Sequence, residues 1–96
     1  MYHEKWDELP AEARDIHRAL ESLKEEIEAV DWYHQRVAVT DNEELRAVLA
    51  HNRDEEIEHA AMTLEWLRRN MDAWDHELRE YLFTGAPIVE TESSAG

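Results

Sequence analysis

The sequence predicts an all-α protein: an antiparallel two-helix hairpin followed by a short C-terminal helix, with one face left for a second copy that would complete a four-helix bundle. Three observations predict it. Glycine and proline fall only near the ends, at Pro10, Gly85, Pro87 and Gly96. Between them lie two long stretches whose apolar residues recur at steps of three and four, the period of an amphipathic helix. One short segment, Val37 to Asn42, interrupts that period and offers a place to turn. At 96 residues the chain suits a single domain with a marginal core of its own, which makes oligomerisation a reasonable prior.

The first helix is expected over about residues 8–38, with a stripe of Ala13, Ile16, Leu20, Leu23, Ile27, Val30 and Val37 and with His34 filling the gap. Thr40 or Asp41, with Glu43 or Glu44 three residues on, reads as a capping box that opens a second helix over about residues 41–70. Its stripe runs Leu45, Val48, Leu49, Asn52, Glu56, His59, Met62, Thr63, Trp66 and Leu67. At the standard rise each helix would be roughly 42 Å long, and the short connection favours antiparallel packing. Met71, Trp74, Leu78, Tyr81 and Leu82 predict a third helix over about 71–83. The small, polar and acidic segment 84–96, with Pro87 inside it, is expected to form a flexible tail.

Composition narrows the chemistry. The chain has no cysteine, which removes disulfides, thiolate metal sites and thiol catalysis and fits a reducing compartment. No run reaches the roughly 20 apolar residues of a bilayer span, and MYHEKWDELP lacks the basic start and apolar stretch of a secretion signal, so a soluble, cytoplasmic protein is expected. With 24 acidic against 10 basic side chains and a formal charge of −14, neither nucleic acid nor an anionic membrane is an expected partner. Cations are.

The second stripe carries the informative anomaly: Asn52, Glu56 and His59 sit where leucine would stabilise the seam. A carboxylate withdrawn from water costs several kcal/mol unless paired. Glu56 and His59 form a Glu-x-x-His pair, which on a helix projects both side chains toward one cation. The pattern alone is weak in so acidic a chain, and its placement on the apolar face gives it weight. Glu26, between Leu23 and Val30 on the first stripe, is the candidate partner. Four-helix di-iron bundles take a Glu from each of two helices and a Glu-x-x-His from each of the other two. This chain supplies one of each, so two copies complete the set around a two-fold axis. Oxygen donors with one imidazole per metal suit iron or manganese better than copper.

The segments EAVDWYHQRV, LAHNRDEEIEHAAMTLEWLRRN and LREYLFTGAPI together resemble the encapsulated ferritin family over about residues 20–88. The resemblance implies a ferritin-like bundle formed by dimers, a ring-shaped decamer built as a pentamer of dimers, and residence as cargo inside an encapsulin shell. It implies a ferroxidase that oxidises Fe²⁺ with O₂ or a related oxidant, two irons per dimer interface, with the encapsulin nanocompartment as the iron store. Ca²⁺, Zn²⁺ and Mn²⁺ are alternative occupants. The ligands carried over are Glu26, Glu56 and His59, with Tyr33 beside the centre; Glu25, Glu28 and Trp32 match an outer metal-access position. Two features depart from the family: His34 stands where an acidic residue is expected, and VETESSAG shows no shell-docking peptide of the usual kind.

Plainer readings compete with these. Glu56 and His59 could be a hydrogen-bonded polar pair inside a helical dimer, and Glu21, Glu25, Glu28 and Asp31 could be a solvated acidic face. Trp6, Trp32, Trp66, Trp74, Met62 and Met71 suit packing. His3, His17, His51 and His76 show no ligand partner at helical spacing and are expected at the surface. A non-redox metal-stabilised helical oligomer, or an adaptor that only dimerises, is the alternative function.

Overall fold

A computed structural model of the chain describes residues 2–95, with side chains given through residue 92. After a 3-10 turn at Trp6–Glu8, four helices follow: α1 Ala11–Val39, α2 Glu43–Asn70, α3 Asp72–Tyr81 and α4 Ile88–Ala95. The described residues contain no strand, and no helix among them is long and apolar enough to cross a membrane. The all-α hairpin with a short helix after it is therefore the fold, as the sequence predicts.

The ends of the helices differ in detail from expectation. Pro10 precedes α1 in an extended conformation, which its fixed φ favours at a helix start. The cap of α2 is Asn42, whose side-chain oxygen accepts from the Leu45 backbone N–H at 2.9 Å. Thr40 and Asp41 do not open a capping box: the helix begins one residue later, so leucine occupies the position that Glu would need. Thr40 instead accepts from the Asn42 N–H at 3.3 Å and tightens the turn. Arg46 completes the corner by donating to the Val37 carbonyl at 3.3 Å and to the Thr40 carbonyl. Those are carbonyls that the end of α1 leaves without helical partners.

Packing is concentrated between α1 and α2. The less exposed positions of α1 include Ile16, Ala19, Leu23, Glu26, Val30, Tyr33 and Val37, and those of α2 include Arg46, Leu49, Arg53, Glu56, Ala60, Thr63 and Leu67. Both series step by three and four, the seam of two helices packed in coiled-coil fashion. The seam is thin: among the described residues, Leu67 alone is fully buried, at 0% exposure. Leu67→Ala is expected to cost about 2–5 kcal/mol, enough to leave the isolated hairpin largely unfolded. Thermal melting followed by circular dichroism checks it; a midpoint within a few degrees of wild type would show that the hairpin does not depend on this contact.

A single extended residue, Met71, separates α2 from α3. Charge holds the elbow. Arg68 pairs with Glu65 at 2.7 Å and with Asp75, Arg69 reaches Glu65 at 2.6 Å, and Arg79 reaches Asp75 at 2.9 Å. Hydrogen bonds from Arg68 and Arg69 bring the Glu65 carboxyl down from 4.5 to about 2, and those from Arg79 and Arg68 lower Asp75. A carboxyl whose folded pKa is depressed stabilises the fold above its unfolded value and loses that contribution as pH falls through the folded one. The melting advantage of wild type over Glu65→Gln is therefore expected to be full above about pH 4.5 and to vanish by about pH 2. Melting curves of the two proteins across that window test it, and a constant difference would refute the pairing.

The C-terminal segment differs from the sequence reading. Residues 84–96 were expected to be a flexible tail, yet Pro87 starts a helical turn in which Thr91 donates to the Pro87 carbonyl from both its N–H and its hydroxyl, each at 3.0 Å. Ile88 and Val89 line a depression with Tyr81 and Glu77 of α3. Apolar contact with α3 supplies what local composition does not show. Gly96 lies outside the described residues. The third helix also ends earlier than expected, at Tyr81, because Leu82 turns extended at φ −86° and ψ 149°; the left-handed Phe83, at φ 60°, follows it.

Candidate metal centre

Glu26, Glu56 and His59 lie along one stretch of the hairpin, Glu26 and Glu56 on the seam and His59 at its edge. The Glu26 carboxylate, half-buried on α1, accepts from the Thr63 hydroxyl of α2, which lies 3.1 Å from each of its two oxygens. Thr63 is one helical turn beyond His59 and also reaches the His59 backbone carbonyl at 3.1 Å, so Glu26 faces α2 just beyond the Glu-x-x-His pair. Within that pair His59 Nδ1 is 3.9 Å from Glu56 Oε2. Their side chains remain 46% and 28% exposed, open toward solvent on one side of the hairpin. Among the described residues, no three acidic or histidine side chains of one chain converge tightly enough to hold a metal ion.

The surroundings of His59 explain what one chain lacks. Leu45, Val48, Met62 and Trp66 recur along α2 at the spacing of a second stripe that also includes Asn52, Glu55 and His59, and these four apolar residues are 39–58% exposed. Leu20 and Ile27 of α1 are exposed as well. Apolar side chains in such a row leave water only if another surface covers them. His59 belongs to this uncovered stripe, and Glu56 adjoins it from the seam side.

Two residues near this face escaped the sequence reading. His51, expected to have no partner at helical spacing, lies 3.4 Å from the Glu55 carboxylate, whose other oxygen is 3.9 Å from His59 Nε2. The i,i+4 spacing of His51, Glu55 and His59 was visible in the sequence and marks them as one row. Thr63 is the other. Counted as a member of the apolar stripe, it is the hydroxyl that meets Glu26.

The remaining candidates separate by position. Tyr33 is a half-buried seam residue with the Arg36 guanidinium 5.3 Å from its ring centre. Glu25 and Glu28 are exposed on α1, and Trp32, also exposed, lines a shallow depression with Gln35, Arg36 and Val39. His34 is exposed, and its Nδ1 lies 3.2 Å from Arg53 Nη1. A guanidinium only donates, so His34 accepts at Nδ1 and carries its proton on Nε2. An acidic residue would pair with the same arginine by charge, which gives His34 a structural role at the seam. His17 is partnered by Tyr2, whose ring centre is 4.4 Å away, and Trp6 lies beneath the Arg14 and Arg18 guanidinium groups at 4.8 and 5.0 Å.

Comparison with known proteins bears on the whole chain. The EncFtn-like family model matches residues 1–85. The chain is 64% identical to a Thermotoga maritima protein described as ferritin-like, over 100% of this chain and 86% of that protein. It is 58% identical to an encapsulated ferritin-like protein of Rhodospirillum rubrum, over 96% of this chain and 66% of that protein. A shorter match, 40% identical over 50% of this chain and 37% of the relative, is to the encapsulin nanocompartment cargo protein EncC of Myxococcus xanthus. A crystal structure of a Nitrosomonas europaea protein superposes with a TM-score of 0.88 at 61% identity, over 91% of this chain and 96% of that one. A hairpin with a carboxylate–imidazole set on its open face, matched along its length by such relatives, belongs to the EncFtn-like family of encapsulated ferritin-like proteins.

Proposed function

We propose that two copies of this chain pair through the face carrying His59, completing a ferritin-like four-helix bundle with a ferroxidase centre at the interface. The observation that carries the reading is the coincidence of that uncovered apolar stripe, 39–58% exposed at Leu45, Val48, Met62 and Trp66, with Glu56 and His59, whose nearest approach is 3.9 Å. One chain offers Glu26, Glu56 and His59; a symmetric pair offers each twice, which is the donor set of a two-iron carboxylate bundle. Carboxylate oxygen and imidazole nitrogen suit iron.

In this reading Fe²⁺ is the substrate. Glu26, Glu56 and His59 of the two chains would together hold two irons, with the Glu56 carboxylates shared between them so that their charge stabilises the trivalent product. Each Fe²⁺ gives up one electron, and O₂ or a related oxidant takes both. Tyr33, on the same seam, lies beside the centre. Glu25, Glu28 and Trp32 form an outer position for arriving Fe²⁺, where Glu25 and Glu28 share a cation across three residues of helix. The formal charge of −14 favours cation approach.

The names of two relatives, an encapsulated ferritin-like protein and an encapsulin cargo protein, extend the reading to a compartment. The pairs join into a decamer, a pentamer of dimers, held inside an encapsulin nanocompartment in the cytoplasm, and the shell stores the oxidised iron. Stopped-flow measurement of Fe³⁺ formation across a dilution series tests the catalytic part. Rate per chain is expected to fall on dilution as pairs dissociate, and absence of Fe²⁺ oxidation at every concentration would refute it. A non-redox metal protein would bind Zn²⁺ or Mn²⁺ in the same experiment and oxidise no iron.

A further inference from the structure

Thr63 makes an arrangement that no ligand role explains. Its hydroxyl oxygen lies 3.1 Å from both Glu26 oxygens and 3.1 Å from the His59 backbone carbonyl. A hydroxyl has one proton to donate, so the three acceptors compete for it. Equal distances to the two carboxylate oxygens put Thr63 on the open side of the carboxylate, the side a chelating cation would take. A cation chelated there would displace the hydroxyl oxygen from that side, and the His59 carbonyl, already 3.1 Å from it, is the acceptor left to the displaced hydroxyl.

We propose that Thr63 is the positioning residue for Glu26: it holds the carboxylate across the hairpin before metal arrives, then turns its hydroxyl to the His59 carbonyl as the cation takes Glu26. The inference rests on Glu26 being a ligand, as proposed above. A carboxylate fixed by an outer partner binds metal without first having to be ordered, and losing such a partner typically weakens metal affinity about 10–100-fold. The carbonyl matters equally. Without an alternative acceptor, the hydroxyl would have to be stripped of its hydrogen bond for metal to bind.

Zn²⁺ titration by calorimetry of the full-length paired protein tests this, with mass followed by light scattering and the metal-free melting midpoint measured alongside. Thr63→Val, which keeps shape and removes the hydroxyl, is expected to weaken Zn²⁺ binding about tenfold, and Thr63→Ser to return it to near wild type. Thr63→Ala carries the same comparison if the valine variant does not assemble. A purely structural Thr63 would shift the melting midpoint and leave Zn²⁺ affinity unchanged in the hydroxyl-free variant, and that result overturns the proposal. So does equal weakening in the serine variant. If wild type binds no Zn²⁺, the centre itself is refuted and Thr63's role with it; if wild type binds Zn²⁺, Glu56→Ala abolishes binding and Thr63→Val does not alter it, only the role of Thr63 falls.

Discussion

Glu56→Ala is expected to lower Fe²⁺ oxidation by roughly 100-fold or more while leaving the paired molecule assembled. In the symmetric site proposed, one substitution would remove this group twice, so both Glu56 carboxylates would disappear at once. Loss of a direct ligand should exceed the roughly 10–100-fold typical of an outer partner. Stability should not suffer. The Glu56 side chain is 28% exposed and its recorded charge partner is His59 at 3.9 Å, while alanine is the better helix former and relieves acidic repulsion. Stopped-flow oxidation, light scattering and circular dichroism on one preparation separate the readings. An unchanged rate would mean that the hairpin is an adaptor, and metal binding without oxidation in wild type would mean a structural metal.

Met62→Asp is expected to have the second large effect: loss of pairing, and with it loss of oxidation, although no proposed ligand is altered. In one chain Met62 is 58% exposed, so aspartate there costs the isolated hairpin little. Across a paired face the same carboxylate would be withdrawn from water, at a cost of several kcal/mol per unpaired charge. The chain's charge of −14 adds to the repulsion. Sedimentation or light scattering should report the mass of single chains with helical circular dichroism retained. A mass equal to wild type would show that this stripe is not the interface, and would remove the ground for a shared centre.

The hairpin was legible because its signal is local. The three–four spacing of Ala13, Ile16, Leu20, Leu23, Ile27 and Val30 on one helix and of Leu45, Val48 and Asn52 on the other needs only the period of a helix to be read. Boundaries were less legible where a single side chain decides them. Asn42 displaced the expected cap by one residue, because which of three adjacent polar residues turns toward the Leu45 N–H depends on how the corner closes. The tail helix Ile88–Ala95 was hidden for a similar reason. Its composition argues against order, and its packing on α3 is a tertiary fact.

The sequence by itself determined that Glu56 and His59 share one turn of a helix and that Glu26 borders the facing seam, since periodicity and counting suffice for each. Only the tertiary structure decided that the Thr63 hydroxyl meets both Glu26 oxygens at 3.1 Å and that Arg53 takes His34 Nδ1 at 3.2 Å. It also decided that Leu45, Val48, Met62 and Trp66 stay uncovered beside Glu56 and His59. The physical reason is register. Periodicity says which face a residue occupies, but the residue opposite it across the hairpin is set by how the Thr40–Asn42 corner closes, and no repeat along a single helix encodes that.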